Sequence, residues 1–214
     1  MGWLIEDIWN GPLSYADEKK RVQAHYTGSH DVEGGKLEYR PLHISNARPA
    51  WYVAVEVTAP AGHDCAPYDA ETLPDGRIRY VFAEVMLTRN TRKEWGYKCI
   101  CEASGPCEAK APVTLMKKLS PLDESNTRAD YAKKWRITCQ TNRDRDNAAK
   151  GLKPGQRFKL NRAADFRGVE VDTFTVLDAA ALGYRKGTRA YHCAELGVVG
   201  LRMATLKEGF TILD

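Results

Sequence analysis

Three cysteines, Cys99, Cys101 and Cys107, lie within nine residues of one another, and a fourth, Cys139, comes later on an expected helix. Four thiolates brought to the corners of a tetrahedron would hold zinc. The spacing is awkward for that chemistry. Structural zinc ligands usually arrive as pairs two to four residues apart on a turn, whereas Cys-x-Cys on a strand sends both side chains to one face. Cys65, within His63-Asp64-Cys65, offers another pair of the same kind. The competing reading is a set of small buried hydrophobes in a reduced protein.

A cysteine nucleophile would need a histidine alongside and a positive field to lower the thiol pKa. His25, His30, His43, His63 and His192 are scattered, and none stands at a partner spacing to a cysteine. Among carboxylates, Glu84 shares the strand phase of Ile78, Tyr80 and Phe82. A carboxyl group on that phase must be paired, hydrogen-bonded or at the sheet margin. Ser104-Gly105-Pro106 lacks the glycine spacing and the lysine of a phosphate loop and reads as a tight turn. The enzymatic alternative is therefore a hydrolase or metal-assisted site near Glu102 and Cys99 to Cys107.

Charge supplies the stronger signal. Between Arg128 and Arg167 there are twelve Lys or Arg and four Asp, a local +8 in a chain whose net charge is +4. Lys133, Lys134, Arg136, Arg143, Arg145, Lys153, Arg157 and Lys159 span a helix end, a linker and the first strand after that linker. Such a concentration suits an acidic partner, nucleic acid or a nucleoprotein complex, although a charge run also serves solubility alone.

Those residues must be positioned by ordinary folded elements. The 214 residues, 43% hydrophobic and 28% charged, are enough to bury real cores. No window is apolar for long enough to span a bilayer. The first residues, with Glu6 where acylation requires Ser or Thr, fit neither a secretory signal nor a lipid anchor, so a cytoplasmic protein is expected.

Ser14 to Tyr26 reads as a capped amphipathic helix, broken by Gly28 to Gly35. Lys36 to Ser45 changes phase at Pro41, as an edge strand with a bulge would. Ala50 to Thr58 alternates cleanly, and Arg77 to Thr88 is apolar on both phases, the mark of a central strand. Pro112 opens a short helix, and a second runs over about residues 126 to 140. Beyond residue 152, five short strand candidates cut by glycines suggest a small β-barrel. The expected fold is thus α+β: an antiparallel sheet with packing helices over 1–140, a polar linker over 141–151, and an SH3-like or related barrel over 152–214.

Trp95, Gly96, Tyr97 and Lys98, then Glu102 with Gly105-Pro106-Cys107, Leu119-Ser120-Pro121, and Tyr131-Ala132 with Trp135-Arg136 and Cys139, resemble an uncharacterised bacterial family associated with phages and mobile elements. The resemblance covers about residues 78 to 160. It implies a prokaryotic cytoplasmic setting and a role in host–element conflict, without implying an activity. The expectation from sequence is a binding protein that engages nucleic acid or a nucleoprotein complex through the basic segment. A protein adaptor or mimic that occupies a host protein is the alternative.

Overall fold

The structure is a computed structural model that describes residues 3–8, 11–185 and 188–213. The acylation reading at Gly2 lies outside them. The chain divides into two compact units, Met1–Cys139 and Gln140–Asp214.

The first unit is built on a seven-stranded antiparallel sheet. Its elements run β1 (Leu4–Ile8), α1 (Tyr15–His25), β2 (Gly28–Val32), β3 (Gly35–Ala47), β4 (Ala50–Ala59), β5 (Glu71–Thr72), β6 (Ile78–Asn90), β7 (Glu94–Cys101), α2 (Val113–Met116) and the start of α3 (Asp130–Gly151). The strand order is β1-β7-β6-β4-β3-β2, with the short β5 also paired to β6. Neither face is solvated along the two middle strands. Trp51, Val53, Val55 and Val57 of β4 join Tyr80 and Met86 of β6, with Val22 of α1, in one core. Ala50, Tyr52 and Ala54 join Val81, Ala83 and Val85, with Leu115, Trp135 and Cys139 of the helices, in the other. The double apolar phase expected of a central strand thus holds for β6 and equally for β4, where the alternation separates two cores rather than core from water.

Local signals account for several boundaries. Ser14 caps α1, its hydroxyl accepting the Asp17 N–H at 3.2 Å. The bulge expected near Pro41 falls between Pro41 and His43, where the pairing of β3 with β4 shifts register. Two expectations are corrected in part. The helix ends at His25, ahead of the run from Gly28 read as its break, but that run also supplies β2, which pairs with β3 from Gly28↔Tyr39 to Val32↔Gly35, so among the described residues β3 is an edge strand only from Arg40 onward. Pro112 stands just outside α2 as its N-cap residue.

Residues 141–151, read as a polar linker, form the second half of α3. The segment has no proline, and its only glycine is the final residue, so a solvated helix accommodates its charges.

The second unit holds a five-stranded antiparallel sheet, β8 (Arg157–Phe166), β9 (Val169–Leu177), β10 (Ala190–Cys193), β11 (Gly197–Val199) and β12 (Phe210–Leu213), in the order β11-β10-β9-β8-β12. Among the described residues the five antiparallel strands of the expected small barrel are present as a half-barrel sheet, and β11 and β12 at its two edges do not pair to close it. The physical reason lies in the run from Val198 to Leu206. It does not continue as a strand but ends β11 at Val199 and turns into α4 (Met203–Lys207), whose Leu206 is buried. Leu206, with Ala149 and Leu152, packs on Phe158, Phe174 and Tyr191.

Candidate functional site

One face of the first unit's sheet carries both a cavity and a band of hydrogen-bonded reactive groups. The cavity, of about 650 Å³, is lined by Tyr68, Tyr80, Phe82 and Cys101, by the loop Asp64 to Pro67, and by Thr127 to Lys134 at the start of α3. The three aromatic rings stack at centroid separations of 5.7 Å (Tyr68 on Tyr80), 5.8 Å (Tyr68 on Phe82) and 6.2 Å (Tyr80 on Phe82). At the wall, Arg128 pairs with Asp64 at 2.8 Å, while Tyr131 is exposed and Lys134 stands beside it. Tyr80 and Phe82 point there because β6 sends alternate side chains to this face. Asn126 accepts the Arg128 N–H at 2.9 Å and fixes the turn that leads into α3.

Further along the same face, Glu84 follows Phe82 on β6, and Cys99 precedes Cys101 on β7. The C-terminal end of α1 lies over them. The Tyr26 hydroxyl is 3.1 Å from Cys99 Sγ and 3.5 Å from Glu84 Oε2, and Cys99 Sγ is 3.6 Å from His25 Nε2. Burial, reinforced by the nearby Glu102 charge, pushes the Glu84 carboxyl up to about 7. Burial also raises the Tyr26 hydroxyl, with Glu84 adding to it. This group was hidden from sequence reasoning because 74 residues separate His25 from Cys99.

The four cysteines considered for zinc do not converge. Cys99 packs against the core under α1, whereas Cys107 and Cys139 belong to the core on the opposite side of the sheet. Cys101 meets the Tyr68 hydroxyl at 3.4 Å. Among the described residues, no group of three or more His, Cys, Asp or Glu is placed to hold a metal ion. The sheet that separates the thiols is the physical reason, and burial pushes the Cys107 thiol up to about 12, away from the thiolate that zinc requires.

The motif residues lie in the interior and in the turn that follows β7. Trp95 and Tyr97 are buried in the first core, and Gly105-Pro106 continues the turn after β7. Glu102 is fully buried and receives Arg136 Nε at its Oε2 and Nη2 at its Oε1, both at 2.8 Å. Arg136, expected to contact a partner, is thereby committed to the interior. Lys133 donates to the Glu124 carbonyl at 2.6 Å. In the second unit Arg143 bonds to Gln140, Arg145 and Lys153 are exposed, and Lys159 pairs with Asp172 at 3.2 Å. Arg157 and Lys159 both project from the outer side of β8, opposite Thr175 and Thr173 of β9.

Residues 126–202 match a family model described as a domain of unknown function (DUF6927). No curated protein and no solved structure matches the chain. The matched span begins at the cap of the cavity wall and takes in α3 and strands β8 to β11. It therefore covers the whole of the basic segment, and it excludes His25, Glu84 and Cys99. It overlaps the resemblance seen in the sequence over residues 126–160 and leaves residues 78–125 outside.

Proposed function

We propose that this protein binds nucleic acid, taking an unpaired base of a single strand into the aromatic cavity of the first unit while cations of the basic segment hold phosphates. The cavity is the observation that carries the reading. Its volume of about 650 Å³ falls among sites for small organic groups, and a stacked aromatic lining accepts any base face. Its wall, Arg128 to Lys134, is also the first stretch of the basic segment, so base and phosphate recognition would share a helix start.

The second unit adds capacity for phosphate. Residues 140–214 contain thirteen Lys or Arg and nine Asp or Glu, which is the whole +4 of the chain. On its sheet, Arg157 and Lys159 stand two residues apart on one strand side, about 7 Å from each other along β8. Thr173, Thr175 and Thr211 are their cross-strand neighbours, hydroxyls of the kind that donate to phosphate oxygens. The resemblance over residues 78 to 160 supports a prokaryotic cytoplasmic setting in a phage or mobile element. No helix among the described residues is long and apolar enough to cross a membrane.

The test is fluorescence anisotropy with labelled single- and double-stranded DNA and RNA across a salt series. Single strands should bind more tightly than duplex, with log K falling linearly as log salt rises. Tyr131→Ala should weaken single-strand binding about tenfold, as loss of one stacked base does. Arg157→Glu with Lys159→Glu should weaken binding and flatten the salt slope by about two phosphates' worth. No binding at low salt, or undiminished binding by both variants, would overturn the reading and move the search to a protein partner.

A further inference from the structure

The band formed by His25, Tyr26, Glu84 and Cys99 lies outside the lining of the aromatic cavity, and it sets a thiol beside an imidazole and a phenol. Cys99 Sγ has an imidazole nitrogen at 3.6 Å and a phenol oxygen at 3.1 Å. Both can give a hydrogen bond to a thiolate, and the imidazole can first take the thiol proton. The His25 ring is held edge-on against Tyr26 and against Tyr97, with both ring centroids at 4.7 Å. These contacts fix the side chain although the residue is exposed.

The other cysteines sit differently. Cys139 and Cys193 are buried, and Cys65 donates its thiol to the Tyr68 carbonyl at 3.4 Å. Burial raises the thiols of Cys101 and Cys107. Cys99 is half-buried and adjoins the exposed His25, so it combines an acid–base partner with a route to solvent.

The groups facing Cys99 include His25 and Tyr26 from α1, Glu84 from β6, and Tyr97 and Cys101 along β7. Glu84 decides where the single Tyr26 proton goes. A neutral Glu84 carboxyl donates to the Tyr26 oxygen and leaves the Tyr26 O–H for Cys99. An ionised Glu84 competes for that proton and repels a thiolate.

We propose that Cys99 is a nucleophilic thiol, with His25 as its base and Tyr26 as the donor to its thiolate, and that its substrates are small disulfides. His25 Nε2 takes the Cys99 proton, and Sγ attacks one sulfur of the disulfide. A new sulfur–sulfur bond forms as the old one breaks. The departing thiolate takes the proton from His25 and leaves as a thiol. Cys99 is thereby oxidised to a mixed disulfide, and half of the substrate is reduced, with no further oxidant. Attack on sulfur leaves the charge on sulfur, so the site needs no pocket for an oxyanion, and the half-buried thiol favours a small partner.

The experiment exposes the full-length, folded chain to oxidised glutathione at neutral pH and follows each cysteine by peptide mass mapping over time. Cys99 should acquire the glutathione adduct ahead of the other five cysteines. His25→Gln should slow that adduct by at least about tenfold, while the loss of its two ring contacts lowers the denaturation midpoint only slightly because the residue is exposed. Tyr26→Phe should slow it less and shift its pH dependence. Preferential modification of another cysteine, no adduct on Cys99, or an unchanged rate in His25→Gln would each overturn the proposal. Nucleic-acid binding by the His25→Gln variant should be unaffected, so failure of the thiol chemistry is separate from failure of the binding reading.

Discussion

Glu102 and Arg136 form a two-pronged ion pair, with both contacts at 2.8 Å and the carboxylate fully buried. The pair closes a circuit across the sheet edge. Glu102 Oε1 also accepts the Ala83 N–H at 3.1 Å, and Arg136 Nη1 donates to the Ser120 carbonyl at 2.8 Å. Ser120 in turn pairs with Val81, its N–H donating to the Val81 carbonyl and its Oγ accepting the Val81 N–H, both at 2.9 Å. One arginine thus ties the first turns of α3 to two neighbouring positions of β6.

Removing either charge alone should be costly. Glu102→Gln or Arg136→Met leaves the partner as an uncompensated charge in or near the interior, and urea titration should show a loss of about 3–5 kcal/mol. Glu102→Leu combined with Arg136→Met should cost clearly less than the sum of the single changes, because no stranded charge remains. Single variants within about 1 kcal/mol of the parent protein would show that the pair is not structural.

Stability should fall as pH rises through the range in which Glu84 ionises. Its folded-state pKa of about 7 lies above the ordinary carboxyl value of 4.5, so the folded state holds a proton that the unfolded chain has lost. The contribution is absent below the unfolded value, grows unfavourable between the two, and is complete above the folded one, reaching on the order of 3 kcal/mol. Glu84→Gln should remove this slope and make the variant more stable than the parent at pH 8. Urea midpoints measured from pH 5 to pH 8 check it, and parallel profiles for the two proteins would refute it.

A further buried carboxylate, Glu18 of α1, accepts the Trp51 indole N–H at 3.2 Å and the Asn90 amide at 2.6 Å. Asn90 itself bridges to Leu13, accepting its N–H and donating to its carbonyl, each at 2.9 Å. Glu18→Ala should therefore cost about 1–3 kcal/mol by leaving the Trp51 N–H unpaired, and should change the tryptophan emission. The exposed neighbour Lys19 provides the control, with Lys19→Ala within about 0.5 kcal/mol.

What the sequence determined by itself was local and periodic. Ser14 marked the start of α1, the phase change at Pro41 marked the bulge in β3, and the two apolar phases of β6 correspond to Tyr80 and Phe82 in one core and Val81 and Val85 in the other. Each comes from neighbours a few residues apart, where hydrophobic period and backbone sterics act directly. Only the tertiary structure decided which elements share a face. Alternation along β7 sends Cys99 and Cys101 one way but does not say that α1 will lay His25 and Tyr26 over them. Nor does it say that a sheet will part them from Cys107 and Cys139. Arg136 is a surface cation by composition and an interior one by virtue of Glu102, because burial of a charge depends on a partner supplied from 34 residues away.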